Sequence, residues 1–408
     1  MANEGSLKNL KIKIGGQDIA SNFQDASFAG FNIYENIMNP TGPLAEIRLV
    51  DFEDFLGKNN LNGAYDKDIE IEFDGENGGR KKFKLKMYEN KNLNNRSYNN
   101  LGSGHCKEYD LRCVSPELLN CQGNYIQKSF NGKTSDVVKH IVEKGFKSDK
   151  KFNGSQTKGN RRIIINNKHP LDAYHDMNNE HVSDKYESSC FVLFQKEDEY
   201  HFKTFEELFE GQSKGKFTHS TTWDYESGGG DKNKAVLWFK PSRSFLTSTR
   251  SLSKPAEYTF NLTTHKVAAV DPESQDNFKT TEKSKVYQGQ LQSAKEVPVK
   301  YIHDKANNKD KHETSTAKTK RAAFLSHLAQ NSAELEIPFN DINIGDIIEL
   351  DIPEMSTDSN GDGEKQFNGK CCVVGIRTKY KGPGGQPPDC TQVLRVVMAS
   401  YKRGGGQA

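Results

Sequence analysis

The stretch Ile344-Gly345-Asp346-Ile347-Ile348-Glu349-Leu350-Asp351-Ile352-Pro353 decides how this chain folds. Gly345-Asp346 marks a turn, and Pro353 stops whatever follows it. Between them Ile348, Leu350 and Ile352 alternate with Glu349 and Asp351. A two-residue period puts the apolar side chains on one face of a strand and the acids on the other. Upstream, Leu335, Ile337 and Phe339 alternate in the same way, after a short helix expected over 321–332 that gathers Phe324, Leu325 and Leu328. Downstream, a polar loop leads to strands expected at 372–376 and 393–398.

The pattern occurs a second time. Ile69-Glu70-Ile71-Glu72-Phe73 matches Ile348-Glu349-Leu350-Asp351-Ile352 position by position, apolar against apolar and acid against acid. Each is followed by a Gly/Asn/Asp loop and a strand entered through Gly and a basic residue, at Gly79-Arg80-Lys81-Lys82-Phe83 and at Gly369-Lys370-Cys371-Cys372-Val373. Leu10, Ile12 and Ile14, then Phe31 and Ile33, then Ile47 and Leu49, and finally Phe83, Leu85 and Met87 extend the alternation. An antiparallel meander of at least five strands is expected over the first 110 residues. Pattern alone leaves two explanations open, a duplicated β-domain or two unrelated meanders.

Between the two β-blocks the texture changes. Thr134-Ser135-Asp136 is suited to capping a helix whose stripe is Val137, Val138, Ile141 and Val142. Pro170 suits the first turn of a second helix carrying Leu171, Ala173, Tyr174 and Met177. Cys190-Phe191-Val192-Leu193-Phe194 is a buried strand, returning through 196–199 into Tyr200-His201-Phe202-Lys203. These elements make a small α+β domain. Residues 211–234 are rich in Gly, Ser, Thr and Asp, and a flexible tip is expected at Gly228-Gly229-Gly230. Further strands are expected at 235–239 and 257–262, followed by an extended polar linker over 270–320.

Composition narrows the function. The 408 residues contain 57 Lys plus Arg against 55 Asp plus Glu, a net charge of +2, which lacks the basic excess of a dedicated nucleic-acid binder. Hydrophobic residues are only 34%, so the apolar surface suits several thin β layers rather than one large core. No apolar run of about 18 residues predicts a membrane span, and none follows the first residues to make a signal peptide. The seven cysteines, odd in number and including adjacent Cys371 and Cys372, read as reduced thiols in a protein assembled in cytoplasm.

Candidate chemical sites fall short of their requirements. Asp358-Ser359-Asn360-Gly361-Asp362-Gly363 resembles half of a calcium loop, but Gly369 stands where the bidentate carboxylate belongs. The cysteines contain no C-x-x-C pair for zinc, and Cys106, Cys113 and Cys121 near His105 have no ligand spacing. His169, His175 and His181, six apart, do not share a helical face. The glycines from Gly363 to Gly369-Lys370 are no Walker loop, since Cys371 replaces Ser or Thr. The expectation is therefore no catalytic residue, no cofactor and no metal site. The basic run 305–320 reads as a solvated linker, with DNA passing along a channel as the alternative contact.

With both β-blocks in view, the chain resembles the baseplate hub proteins of contractile-tailed phages, which are related to the N-terminal hub region of VgrG-type spike proteins. The resemblance spans roughly 23–402. It rests on Phe31-Asn32-Ile33-Tyr34-Glu35-Asn36-Ile37, Ala45-Glu46-Ile47-Arg48-Leu49-Val50-Asp51, Val114-Ser115-Pro116-Glu117, Lys128-Ser129-Phe130-Asn131-Gly132-Lys133 and the 344–353 stretch with Asn368-Gly369-Lys370. It implies a mainly β fold with an α+β insert: two tube-like β-barrel domains, a small α+β domain and extended linkers. The boundaries it suggests are 1–112 for the first barrel, 113–234 for the insert, 235–320 for a β-rich segment with linker, and 321–408 for the second barrel. It further implies a non-enzymatic homotrimer whose six barrels form a ring in the virion tail. Its partners would be a central spike protein, the tail tube or its initiator, and other baseplate proteins, with tape-measure protein or DNA in the channel. No spike or lysozyme-like segment follows the last strand, so a separate spike is expected. Two rival classes are a tail-associated wall or polysaccharide hydrolase, needing a carboxylate pair in a cleft, and an adhesin, for which Trp223 and Trp238 are the available tryptophans.

Overall fold

A computed structural model describes residues 7–19, 28–51, 55–58, 67–75, 79–97, 105–178, 181–186, 190–219, 234–242, 255–261, 266–270, 297–304, 332–352, 369–382 and 389–398. The first unit contains β1 (Leu7–Ile14), β2 (Gln17–Asp18), β3 (Phe28–Asn36), β4 (Leu44–Asp51), a single helical turn α1 (Phe55–Lys58), β5 (Asp68–Gly75), β6 (Arg80–Ser97) and β7 (His105–Val114). Every pairing is antiparallel, in the order β3-β4-β7-β6-β5-β1-β2. The expected sequential meander is corrected here, because β4 pairs with β7 and β5 pairs with β1. Alternation specifies which face of a strand is buried and leaves its neighbour open.

Ile12 and Ile14 on β1 share one core with Phe31 and Ile33 on β3, although those strands lie far apart in the sheet order, so the sheet is rolled. Full burial of an Ile or Phe side chain stabilises by about 1.5–3 kcal/mol. The ion pairs on the outer face, such as Lys86 with Asp68 at 3.0 Å, keep at least one partner partly exposed. Such pairs contribute about 0–1 kcal/mol each, so the apolar interior holds the roll.

The middle module runs α2 (Pro116–Gln122), β8 (Ile126–Gly132), α3 (Thr134–His140) with a following π-helical turn at Ile141–Gly145, β9 (Lys151–Gly154), β10 (Arg161–Lys168), α4 (Pro170–Met177), β11 (Phe191–Lys196), β12 (Glu199–Thr204), α5 (Phe205–Phe209) and β13 (Ser213–Thr218). β8 pairs with β10, and β11-β12-β9 form a second small sheet. Val137, Val138, Ile141 and Val142 pack on Phe191, Leu193, Tyr200 and Phe202 as the periodicity implies. Pro170 opens α4 as expected. Thr134 does not cap α3: Lys133 is the N-cap residue, and the Thr134 hydroxyl lies 3.0 Å from His181 Nδ1. The flexible tip expected at Gly228-Gly229-Gly230 lies outside the described residues, while β13, ahead of it, pairs in parallel with a strand of the C-terminal unit.

That unit contains β14 (Trp238–Ser242), β18 (Ser332–Pro338), β19 (Ile347–Asp351), β20 (Gly369–Lys381) and β21 (Asp389–Met398), with β15 (Pro255–Asn261), β16 (Lys266–Val270) and β17 (Val297–Asp304) forming a separate small sheet. Its order is β14-β18-β21-β20-β19-β13, and a bridge between Thr218 and Ala235 brings β13 back toward β14, so this unit is barrel-like. β17 falls inside the segment expected to be linker and pairs in parallel with β15. Of the helix expected at 321–332, only Ser332 is described, and it opens β18. The 305–320 run and the 358–363 loop lie outside the described residues. The chain is thus mainly β, with an α+β module between two rolled β-units.

Candidate assembly interface

The two units are copies of one arrangement. β3-β4-β7-β6-β5 and β14-β18-β21-β20-β19 have the same order, and every pairing within them is antiparallel. Register carries the match to single residues. Ala45 faces Cys113 and Glu46 faces Arg112 in the first unit; Ala333 faces Val396 and Glu334 faces Arg395 in the second. Leu111-Arg112-Cys113-Val114 therefore corresponds to Leu394-Arg395-Val396-Val397, and Phe31 opposite Ile47 corresponds to Phe239 opposite Leu335. The sixth strand breaks the equivalence, since β1 meets β5 antiparallel and β13 meets β19 parallel. Of the two explanations open at the sequence level, duplication is the one this shared register supports.

β20 joins the units. Its first residues pair with β19, and from Gly375 to Lys381 the same edge pairs antiparallel with β3, making one 13-stranded sheet. The joint is specific. Arg377 donates from Nε and from its terminal nitrogen to Asn32 Oδ1 at 3.2 and 3.0 Å, and its guanidinium lies 5.3 Å from the Tyr34 ring centre. Tyr34 donates to Glu46 at 3.1 Å, and burial followed by that hydrogen bond pushes its phenol upward. Phe31 stacks on Tyr380 at 5.4 Å, and Phe73 meets Phe339 edge-on at 5.3 Å, so residues of the second unit complete the core of the first. Gly30, at φ +136°, ends the joint opposite Lys381, and a Cβ there would overlap the Tyr380 carbonyl oxygen. Lys81, buried, donates to Asn343 Oδ1 and lies 3.7 Å from the Glu35 carboxylate.

The middle module is clamped to both units. Gln195 donates to the Thr41 carbonyl at 3.2 Å and to Tyr200 at 2.6 Å, while Lys150 donates to Gln195 at 2.8 Å. Gly42, at φ +97°, leaves room for the Gln195 side chain. On the other side Lys196 pairs with Asp346 at 2.6 Å, and Asn343 donates to Glu197 at 3.0 Å. The Gly345-Asp346 turn noted in the sequence is therefore where the β11–β12 hairpin docks.

The residues weighed as chemical sites are dispersed. Cys113, Cys121, Cys190, Cys371, Cys372 and Cys390 are free and buried. Burial pushes the Cys121 thiol up to about 11 and those of Cys113, Cys371 and Cys372 higher still. Cys371 and Cys372 are both buried because β20 is covered on both faces there. His169 is the N-cap residue of α4, His175 lies in its last turn, and His181 is buried against Phe191 and Phe202. Among the described residues no group of three or more His, Cys, Asp or Glu is arranged to hold a metal, and no helix is long and apolar enough to cross a membrane. Sequence reasoning missed Arg377, Asn32, Tyr34, Lys81 and Asn343. The recurrence of Leu-Arg-x-Val at 111–114 and 394–397 is a signal for the duplication, not for the joint.

This fold is shared with solved phage tail proteins. The tail protein from Neisseria meningitidis MC58 is similar at TM-score 0.58 and 10% identity, over 95% of this chain and 96% of that one. The 43 kDa tail protein of prophage MuSo2 from Shewanella oneidensis is similar at TM-score 0.56 and 13% identity, over 97% and 99%. A PdpA–VgrG complex is similar at TM-score 0.50 and 11% identity, over 100% of this chain and 68% of that one. No protein-family model and no curated protein sequence matches the chain.

Proposed function

We propose that the chain is a structural hub subunit of a contractile phage tail baseplate, a trimer whose six β-units form a ring between the central spike and the tail tube, and that it is not an enzyme. The observation that carries this reading is the duplicated unit joined edge to edge by β3 and β20. A chain with two similar units in one continuous sheet can present a six-fold face while obeying three-fold symmetry, and closed rings need heterologous interfaces of this kind. The match to two tail proteins over nearly their whole lengths supports a place in the virion tail. The VgrG match supports a spike-type partner, and it favours a second reading of the same class, the hub of a non-phage injection system. The near-complete coverage of the tail proteins, against 68% of the matched chain of the PdpA–VgrG complex, weighs for the phage tail.

Light scattering of the purified chain, alone and with its candidate spike, tests the proposal. A trimer, or a monomer that becomes trimeric with the spike, is expected. A monomer indifferent to both spike and tube protein would refute it. Clearance of peptidoglycan or polysaccharide by the purified chain would favour the hydrolase instead.

A further inference from the structure

Resting on the hub reading, we infer that the joint between neighbouring copies is a second use of the β3–β20 joint, formed by the outer edge of β6 in one copy and β14 in the next. The argument is internal to the chain. β14 corresponds to β3 residue for residue, and β6 corresponds to β20 residue for residue as far as Asn92. Within the chain, the edge of β20 beyond its pairing with β19 is taken by β3. On β6 the matching edge, beyond its pairing with β5 at Arg80–Lys86, has no strand beside it among the described residues. The outer edge of β14, matching the edge of β3 that receives β20, likewise ends the sheet among the described residues. The chain therefore carries one joint made and the two halves of the same joint unmade, facing opposite ways. Exposed strand edges of this length are templates for pairing.

Burial at equivalent positions points the same way. Val374 is 9% exposed at the made joint, whereas Tyr88, its counterpart on β6, is 42% exposed. At the β14 edge, Leu237 and Trp238 are 47% and 40% exposed. Large apolar side chains thus lie uncovered at both unmade halves, and the occupant that fits both is a second copy. Transferring the register of the made joint, where Arg377 faces Tyr34, places Lys91 of one copy opposite Ser242 of the next.

Three differences temper the joint without removing it, the first being a bulge between Asn92 and Asn94 on β6 that β20 lacks, which leaves the register transferable up to Asn92. Pro241 stands at the position of Ile33 and supplies no N–H, a residue tolerated on edge strands, so at most one hydrogen bond is forgone. The Arg377–Asn32 pair becomes Lys91 and Lys240, two cations, of which Lys91 has Glu89 3.4 Å away.

The test is a full-length Lys91→Cys/Ser242→Cys variant in a Cys106→Ser background, oxidised after assembly, the six other cysteines being buried. Paired strand positions lie within disulfide reach. Disulfide-linked dimers and trimers are expected on non-reducing gels, while a Lys91→Cys/Lys168→Cys control, its second cysteine on β10, gives none. A trimer by mass with no cross-link at this pair would overturn the joint and leave the ring standing; a monomer under all conditions would remove both. In the unmodified protein, hydrogen exchange at 88–97 and 238–242 should slow at least tenfold on assembly, and unchanged exchange in a trimer would overturn the joint independently. Lys240→Asn, restoring the residue found at Asn32, should raise the trimer fraction.

Discussion

Tyr88 on β6 and Val374 on β20 occupy the same β-bulge. Each is passed over as its strand steps along the next, between Met87 and Glu89 against β7 and between Val373 and Gly375 against β21. A bulge bends a strand and strengthens its local twist. Just beyond it, at Gly375, β20 turns from β19 to β3. The bend that joins the two units is therefore built into both copies.

Gly30 is the most sensitive position of that joint. Gly30→Ala places a side chain at φ +136° and drives its Cβ into the Tyr380 carbonyl. Backbone strain of this kind costs about 1–3 kcal/mol, and the clash adds to it. A lower denaturation midpoint is expected, while Gly123→Ala, at negative φ with open space around it, should leave the midpoint nearly unchanged.

Lys81 and Glu35 should behave as a coupled pair. Both are buried between the two units, 3.7 Å apart. Lys81→Met leaves the Glu35 carboxylate buried without its cation and should cost about 3–5 kcal/mol. Adding Glu35→Gln should recover much of that loss in a double-mutant cycle. Additive losses would show that the pair does not act together.

His201 predicts loss of stability in acid. Burial, then Lys196 and Lys203, lowers its pKa to about 4 from an ordinary value near 6.5. The unfolded chain therefore binds this proton more readily between those values, so stability is full above about pH 6.5 and falls as pH drops toward 4. His201→Gln should flatten the midpoint-versus-pH curve across that window. An unchanged slope would show that His201 does not titrate there.

The buried thiols should resist labelling. Raised thiol pKa values at Cys113, Cys371 and Cys372 disfavour the thiolate that reacts. A maleimide should modify none of the three in the folded protein at neutral pH and all of them after denaturation, as read by peptide mass spectrometry.

How much of this was legible in the sequence depends on the signal each element carries. Alternation exposed β5 and β19, because acids and aliphatics face opposite sides of those strands. The α+β module was legible from helical stripes and from the Phe191–Phe194 run. β13 was hidden because Ser213-Lys214-Gly215-Lys216 resembles a linker, and only Phe217 on it is buried. The duplication was half visible, since the spacing between equivalent strands changes where the module and the polar segments are inserted. The joint was not legible at all. Arg377, Asn32 and Tyr34 lie on strands separated by almost the whole chain, and no local period links them.

Imaging the assembled particle down its axis by single-particle electron microscopy tests the central claim most directly. The account predicts a three-fold ring of six similar β-units around a channel, with strands running continuously through alternating joints within and between copies. A two-fold or single-copy particle, in which β6 and β14 face solvent, would contradict it.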